Sequence, residues 1–188
     1  MESYFLDKTN IFNNQKKGDN LFVGEGIIEK IKAAQPPIKA VVPPPIPSYW
    51  KLQVIGEHNR ENASFAAAVL RTLGLSEAEI KSGIESFSAL DGRLQFVGTV
   101  NGVNVYNDNS ATTPEATIAA LRAVGDKQNR KVVLIIGGDE KYLDMAELIA
   151  EIPKWCSKVV LFKERGTDRI RDEVFALSAQ GIDIYEED

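Results

Sequence analysis

Residues 89–188 predict an α/β domain with a mostly parallel sheet, and residues 1–88 predict the incomplete end of another α/β domain. Three observations carry that expectation. Beyond residue 130, apolar strand patterns alternate with helix patterns, as right-handed crossover units require. The strand candidates 94–100 and 103–106 flank Asn101-Gly102, the strongest short hairpin signal. Before residue 56, by contrast, three short strand candidates have little helix between them and do not complete a domain.

The elements follow in order. Tyr4, Phe5, Lys8, Ile11 and Phe12 have roughly helical spacing, and Gly18-Asp19 reads as a stop. Leu21–Val23 and Ala40–Val42 are short strand candidates around one or two helical turns at 27–34. The run Pro43-Pro44-Pro45-Ile46-Pro47 is extended, and 51–55 alternates like a strand. A helix is expected to about Thr72, with Ala63, Ala66, Ala67, Leu70 and Leu73 on its faces and Gly74 ending it. Ser76-Glu77-Ala78-Glu79 is a capping-box signature for the next helix, whose buried stripe is Ile80, Ile84 and Phe87. A domain boundary is expected near residues 88–93.

The stretch 106–117 then leaves a strand, crosses a polar loop and enters a helix that Thr113 can cap, with Pro114 at its first position. Residues 131–136 are a continuous apolar run ending in Gly137-Gly138, which reads as a buried parallel strand. A helix is expected around 145–152, a strand at 158–162, a helix at 167–179 and a last strand at 181–185. In such a sheet, with a hairpin strand at its edge, Asp108 and Lys141 both emerge at carboxyl ends of parallel strands and share one rim, where open α/β sheets bind ligands.

Composition sets outer bounds. A chain of 188 residues with 44% hydrophobic content supports one domain or one and a half with a real core. A net charge of −5 argues against nucleic acid as a partner. One cysteine, Cys156, excludes an internal disulfide framework and a cysteine-rich metal site. No signal pattern and no membrane-length apolar run is present, so the expectation is a cytoplasmic protein without a membrane partner.

The polar residues at the loops carry the chemistry. Asn59 and Asn62 lie three apart at a helix start and project the same way, so their carboxamides can hydrogen-bond an adenine edge or a ribose. His58 is the lone histidine, a residue more often structural than catalytic. Arg93 at the boundary can reach a nucleotide or simply pair with a carboxylate. Loop residues Asp108, Ser110 and Thr112 offer a carboxylate and hydroxyls that suit a ribose, a metal-bound phosphate or a substrate carboxylate; the same stretch can equally be an ordinary strand-to-helix connection. Lys8 and Lys141 can equally be solvated lysines.

Taken together, Ala111-Thr112-Thr113-Pro114-Glu115, Gly56-Glu57-His58-Asn59-Arg60-Glu61-Asn62 and Gly137-Gly138-Asp139-Glu140-Lys141 resemble motifs of the Mur ligases. The Tyr4-x-x-x-Lys8-x-x-Ile11-Phe12-x-Asn14-Gln15 pattern is similar to a segment of that family's central domain. The resemblance implies a Rossmann-like C-terminal domain at 89–188, lacking its last segment, and a partial ATP-binding central domain at 1–88. It implies ATP and Mg2+ as cofactors. Lys8 would carry a carbamate that gives oxygen to a magnesium ion, which requires a lysine of lowered pKa. His58, Asn59, Asn62, Arg93 and Asp108 would contact the nucleotide. Thr112 and Ser110 would lie at the amino-acid substrate, and Lys141 would hold its side-chain carboxylate. Gly92 stands where the family commonly has histidine, Ser110 where it commonly has lysine, and Glu140 and Tyr142 where it usually has aspartate and glycine.

The implied reaction is amide formation in peptidoglycan synthesis. The carboxylate of UDP-N-acetylmuramoyl-L-alanine is phosphorylated by ATP, and the amine of D-glutamate displaces the phosphate. The complete protein would act as a monomer. No Gly-Lys-Thr or Gly-Lys-Ser phosphate loop occurs in these residues, so the chain is expected to be inactive alone. Other Mur-type or folylpolyglutamate-type ligases, a non-catalytic nucleotide-binding module and a partner-binding domain remain alternatives.

Overall fold

The computed structural model describes residues 2–188, which divide into two units. The first comprises 2–52 and 60–86, and the second 53–59 and 87–188.

The first unit begins with α1 (Glu2–Asn13), where spacing decides exposure. Tyr4, Lys8 and Ile11 share an exposed stripe, while Phe12 is buried with Leu21, Val23, Ile31 and Ala40. Strands β1 (Leu21–Phe22) and β2 (Ala40–Val41) pair in parallel around the short helix α2 (Ile28–Ala33). The proline run that follows has no ladder of its own. Its backbone is satisfied by the long helix α3 (Glu57–Thr72). Arg60 donates to the carbonyls of Trp50 and Pro47 at 3.1 and 2.8 Å, and the Ile46 N–H donates to Ser64 Oγ at 3.0 Å. Ile46 and Trp50 are thereby held against Ala63, Ala67, Ile80 and Ile84, the last two from α4 (Glu77–Ser86). Ser76 and Glu79 exchange hydrogen bonds at the start of α4, the capping box that their spacing announces.

The second unit carries the largest core. Strands β3 (Gln95–Val100) and β4 (Val103–Asn107) form an antiparallel hairpin. Its turn residues Asn101 and Gly102 both have positive φ, 50° and 81°, as a type I′ turn demands. Helix α5 (Pro114–Val124) starts at Thr113, whose hydroxyl accepts from the Ala116 N–H. Strands β5 (Val132–Ile136), β6 (Cys156–Phe162) and β7 (Asp183–Glu187) then pair in parallel, in sequence order. Helices α6 (Ala146–Trp155) and α7 (Arg165–Phe175) make the crossovers. Ile118 and Leu121 of α5, Leu148 and Ile152 of α6, and Ile170 and Val174 of α7 close over Val159 and Leu161 of β6.

Three expectations are corrected. Residues 51–55 form no strand, because alternation alone gives no ladder and no neighbouring strand pairs with them. The run 131–136 is buried on one face only: Val132, Leu134 and Ile136 meet the helices, while Val133 and Ile135 are 48% and 63% exposed. The hairpin is a separate two-stranded sheet rather than an edge of the parallel one. Among the described residues, no helix is long and apolar enough to cross a membrane.

Candidate functional site

A cleft of about 200 Å3 opens in the second unit, at the carboxyl ends of parallel strands. Three loops build it. Residues 109 and 111–114 come from the entry to α5, 137–141, 143 and 145 from the end of β5, and 166, 167, 169 and 170 from the start of α7. Each loop is fixed by its own chemistry. The first ends in the Thr113 cap with Pro114 at the first helical position. The third is fixed by a reciprocal cap in which the Glu164 N–H donates to Thr167 Oγ1 at 3.1 Å and the Thr167 hydroxyl also donates to the Phe162 carbonyl.

The middle loop has no regular structure and leans on α7. Gly166 donates its N–H to the Gly138 carbonyl at 3.0 Å, and a β-carbon on Gly166 would come within 2.7 Å of that carbonyl. Arg165 pairs with Asp139 at 2.7 Å, which holds the Asp139 carboxyl below its usual range. Arg169 pairs with Glu140. Burial from water pushes the Glu140 carboxyl up, but the N–H of Tyr142 and the Arg169 guanidinium outweigh this, and the net direction is down. Four charged residues line the cleft: Asp139, Glu140, Lys141 and Arg169. Three of them are in ion pairs. Among the described residues, the exposed Lys141 ammonium meets no carboxylate. The site therefore presents one cation outside these ion pairs, in a cleft that Thr112 also lines, which suits an anionic ligand of small size.

Lys141 and Thr112 line this cleft together. Asp108 and Ser110 do not line it; Asn109 and Ala111 do. Asp108 leaves an antiparallel hairpin strand instead of a strand of the parallel sheet, so the common-rim expectation does not hold in its original form. Its Oδ1 accepts from the Leu94 N–H at 2.8 Å. Arg93 donates to the Ser110 carbonyl at 2.8 Å, and the Ser110 N–H donates to the Gly92 carbonyl. These bonds lace the 92–94 turn to the 108–110 loop. A β-carbon at residue 92 would sit 2.1 Å from Asn109 Oδ1, so the Asn109 side chain takes space that a histidine there would need.

The remaining residues lie elsewhere. His58 and Asn59 belong to the second unit. Gly56, at φ +98°, leaves room for the His58 ring and for Ala123 of α5, with no space for a β-carbon. The Asn59 carboxamide donates to the Ile55 carbonyl at 2.8 Å. Lys8 and Asn62 are exposed residues of the first unit, and the Lys8 ammonium lies 5.3 Å from the Tyr4 ring centroid. Arg165, Gly166 and Arg169 are not singled out by the sequence. Their one local signal is two arginines four apart at a helix start, complementary to Asp139-Glu140 about 26 residues earlier.

Comparison with known proteins bears on this cleft. The family described as "Mur ligase, glutamate ligase domain" matches residues 92–187. A UDP-N-acetylmuramoylalanine–D-glutamate ligase from Aquifex aeolicus is 32% identical over 186 residues, covering 92% of this chain and 44% of that protein. The enzyme of the same name from Pseudomonas syringae pv. tomato is 39% identical over 111 residues, covering 59% of this chain and 25% of that protein. The chain thus spans less than half the length of these curated relatives. Among solved structures, the UDP-N-acetylmuramate–alanine ligase MurC from Thermotoga maritima shares the fold, with a TM-score of 0.57 over 72% of this chain and 30% of its own, at 24% identity.

Proposed function

The chain belongs to the Mur ligase family, and we propose that it takes part in the ATP-dependent joining of D-glutamate to UDP-N-acetylmuramoyl-L-alanine by holding the side-chain carboxylate of D-glutamate on Lys141. The observation that carries this reading is the charge balance of the cleft. Every other charged side chain that lines it is paired, and the Lys141 ammonium is left for a ligand. A carboxylate held by such a cation gains about 1.5–3 kcal/mol. The Thr112 side chain shares the cleft and would orient the amino acid. Ser110 supplies no charge, so Lys141 would carry the recognition alone.

On the same reading, residues 1–88 are the end of the ATP-binding domain and 89–188 most of the amino-acid-binding domain. Asn59, Asn62, Arg93 and Asp108 would contact the nucleotide, with His58 fixing the turn before them. Arg93 and Asp108 each spend one group on the 92–110 lacing and keep further donors and a second carboxylate oxygen. Among the described residues no group of three or more His, Cys, Asp or Glu side chains could hold a metal. Mg2+ would be bound mainly through phosphates, with an oxygen from a carbamate on Lys8. The ion would offset charge on the transferring phosphoryl group. The protein would work in the cytoplasm as a monomer.

The test is a titration of the lysine-labelled protein with D-glutamate, followed by NMR at the Lys141 side chain. Saturable shifts are expected with D-glutamate. D-alanine, which lacks the second carboxylate, should bind at least about tenfold more weakly. Lys141→Ala should abolish the response of the surrounding Thr112 and Gly138 signals to D-glutamate. An unchanged response in that variant would remove the proposed role.

A further inference from the structure

The Lys141 ammonium has no partner of its own among the described residues, so its place in the cleft is set by the backbone that bears it. That backbone is unusual. Tyr142 adopts φ +55° with its side chain 88% exposed. A non-glycine residue is disfavoured in this region and persists only where neighbours impose it. Core packing does not impose it here, because Lys141 and Tyr142 are both exposed.

The imposing contact comes from one side chain on α7. Arg169 Nε meets Glu140 Oε2 at 2.5 Å, and Arg169 Nη2 donates to the Leu143 carbonyl. The two acceptors flank the pair Lys141-Tyr142. Inside this bracket the other Glu140 oxygen accepts the Tyr142 N–H. Arg169 is anchored in turn, since Ile170 beside it is buried in the main core. We infer that Arg169 is a positioning residue: it staples both ends of the Lys141-Tyr142 tip and so aims the Lys141 ammonium into the cleft. Its own charge is spent on Glu140, so it is not the ligand for the incoming carboxylate. A forked guanidinium holds a carboxylate and a carbonyl in one fixed geometry; a lysine offers a point charge without that fork and restores the bracket in part. This inference rests on the role proposed for Lys141.

The experiment uses the 188-residue protein labelled with 15N and lysine 13C, with Arg169→Ala, Arg169→Lys, Lys141→Ala and, as a control, Arg171→Ala. Arg171 lies on the same helix but pairs with Glu186, away from the loop. Without ligand, backbone order parameters at Lys141 and Tyr142 should be near the rigid value of about 0.85 in the parent protein and in Arg171→Ala, below about 0.6 in Arg169→Ala, and intermediate in Arg169→Lys. The amides of Ile152 and Val159 should not change. A tip as rigid in Arg169→Ala as in the parent overturns the staple. With D-glutamate added, Arg169→Ala should bind about tenfold more weakly at an unchanged melting temperature, with part of the loss recovered in Arg169→Lys. A mobile tip with parent-like binding overturns the positioning role. If the parent does not respond to D-glutamate, or Lys141→Ala responds equally, the ligand assignment falls, and the order parameters alone decide for or against the staple.

Discussion

Among the described residues, Glu151 is the one buried carboxylate in the second unit's helical layer, and its surroundings set how the protein meets acid. It accepts from Trp155 Nε1 at 2.8 Å, Arg122 Nη2 at 2.9 Å and Lys154 Nζ at 3.0 Å. The Trp155 hydrogen bond, then those of Arg122 and Lys154, outweigh the opposing effect of burial and bring its pKa down to about 2. A carboxyl whose folded pKa is depressed binds fewer protons folded than unfolded. Its stabilisation is therefore complete above the ordinary value of 4.5 and is lost as pH falls toward about 2. Arg122 and Lys154 are half exposed, so water screens their share. Glu151→Gln keeps an acceptor for Trp155 but loses the charge. It should cost about 1–2 kcal/mol at neutral pH. Urea unfolding at several pH values is the check: the gap between parent and variant should close between pH 4.5 and 2, and a gap independent of pH would contradict this account. Because Arg122 belongs to α5 and Glu151 to α6, the same bonds tie the helix leaving the Thr112 loop to the helix following the Lys141 loop.

At the scale of elements, the start of α7 sets the shape of the cleft. Gly166 sits inside that helix, where alanine is intrinsically better by about 0.8–1 kcal/mol. Two carbonyls oppose the change, since an added β-carbon would lie 2.7 Å from the Gly138 oxygen and 3.1 Å from that of Asp139. Both are backbone atoms that no side-chain rotation can clear. Overpacking of this kind costs about 1–3 kcal/mol. Gly166→Ala should therefore lower the melting temperature despite its better propensity, and shift the amide signals of residues 138–143. A stabilised variant with unmoved signals would mean that the loop does not press on the helix. None of this pressure is written locally. Thr113 with Pro114, Ser76 with Glu79, and Asn101-Gly102 declare their elements within four residues, and the structure places α5, α4 and the hairpin turn there. Capping and turn chemistry are short-range, so a sequence exposes them. The pairings of Arg165 with Asp139 and Arg169 with Glu140 span more than 25 positions and depend on which loop the crossover brings beside which helix. The same limit explains residues 51–55, whose alternation found no ladder, and the hairpin, which stands apart from the parallel sheet. Lys141 and Thr112 could be read because each lies in a local motif at a strand end or helix start; Arg169 could not.

At the scale of the molecule, the division of the core decides what can fold alone. Every buried member of the main cluster falls between Ile118 and Ile182, and the parallel strands and their crossover helices are complete between Val132 and Glu187. The first unit has two smaller clusters of its own. Residues 87–188 are about the length at which a single core becomes self-sufficient. Expressed alone they should unfold cooperatively in urea, reported by the fluorescence of Trp155, the sole tryptophan in that stretch. They would lack 53–59, which groups with the second unit and brings His58 beside α5 at Ala123. Losing that partly buried ring should lower stability by about 1–2 kcal/mol, the scale of one side chain's burial. The comparison is with the whole chain, read at the same tryptophan after Trp50→Phe silences the other one. A 87–188 polypeptide without a cooperative transition would mean that the helices close over β6 only with help from the first unit. A midpoint equal to that of the whole chain would mean that His58 adds no packing energy, and would leave the Asn59 carboxamide as the reason for this turn.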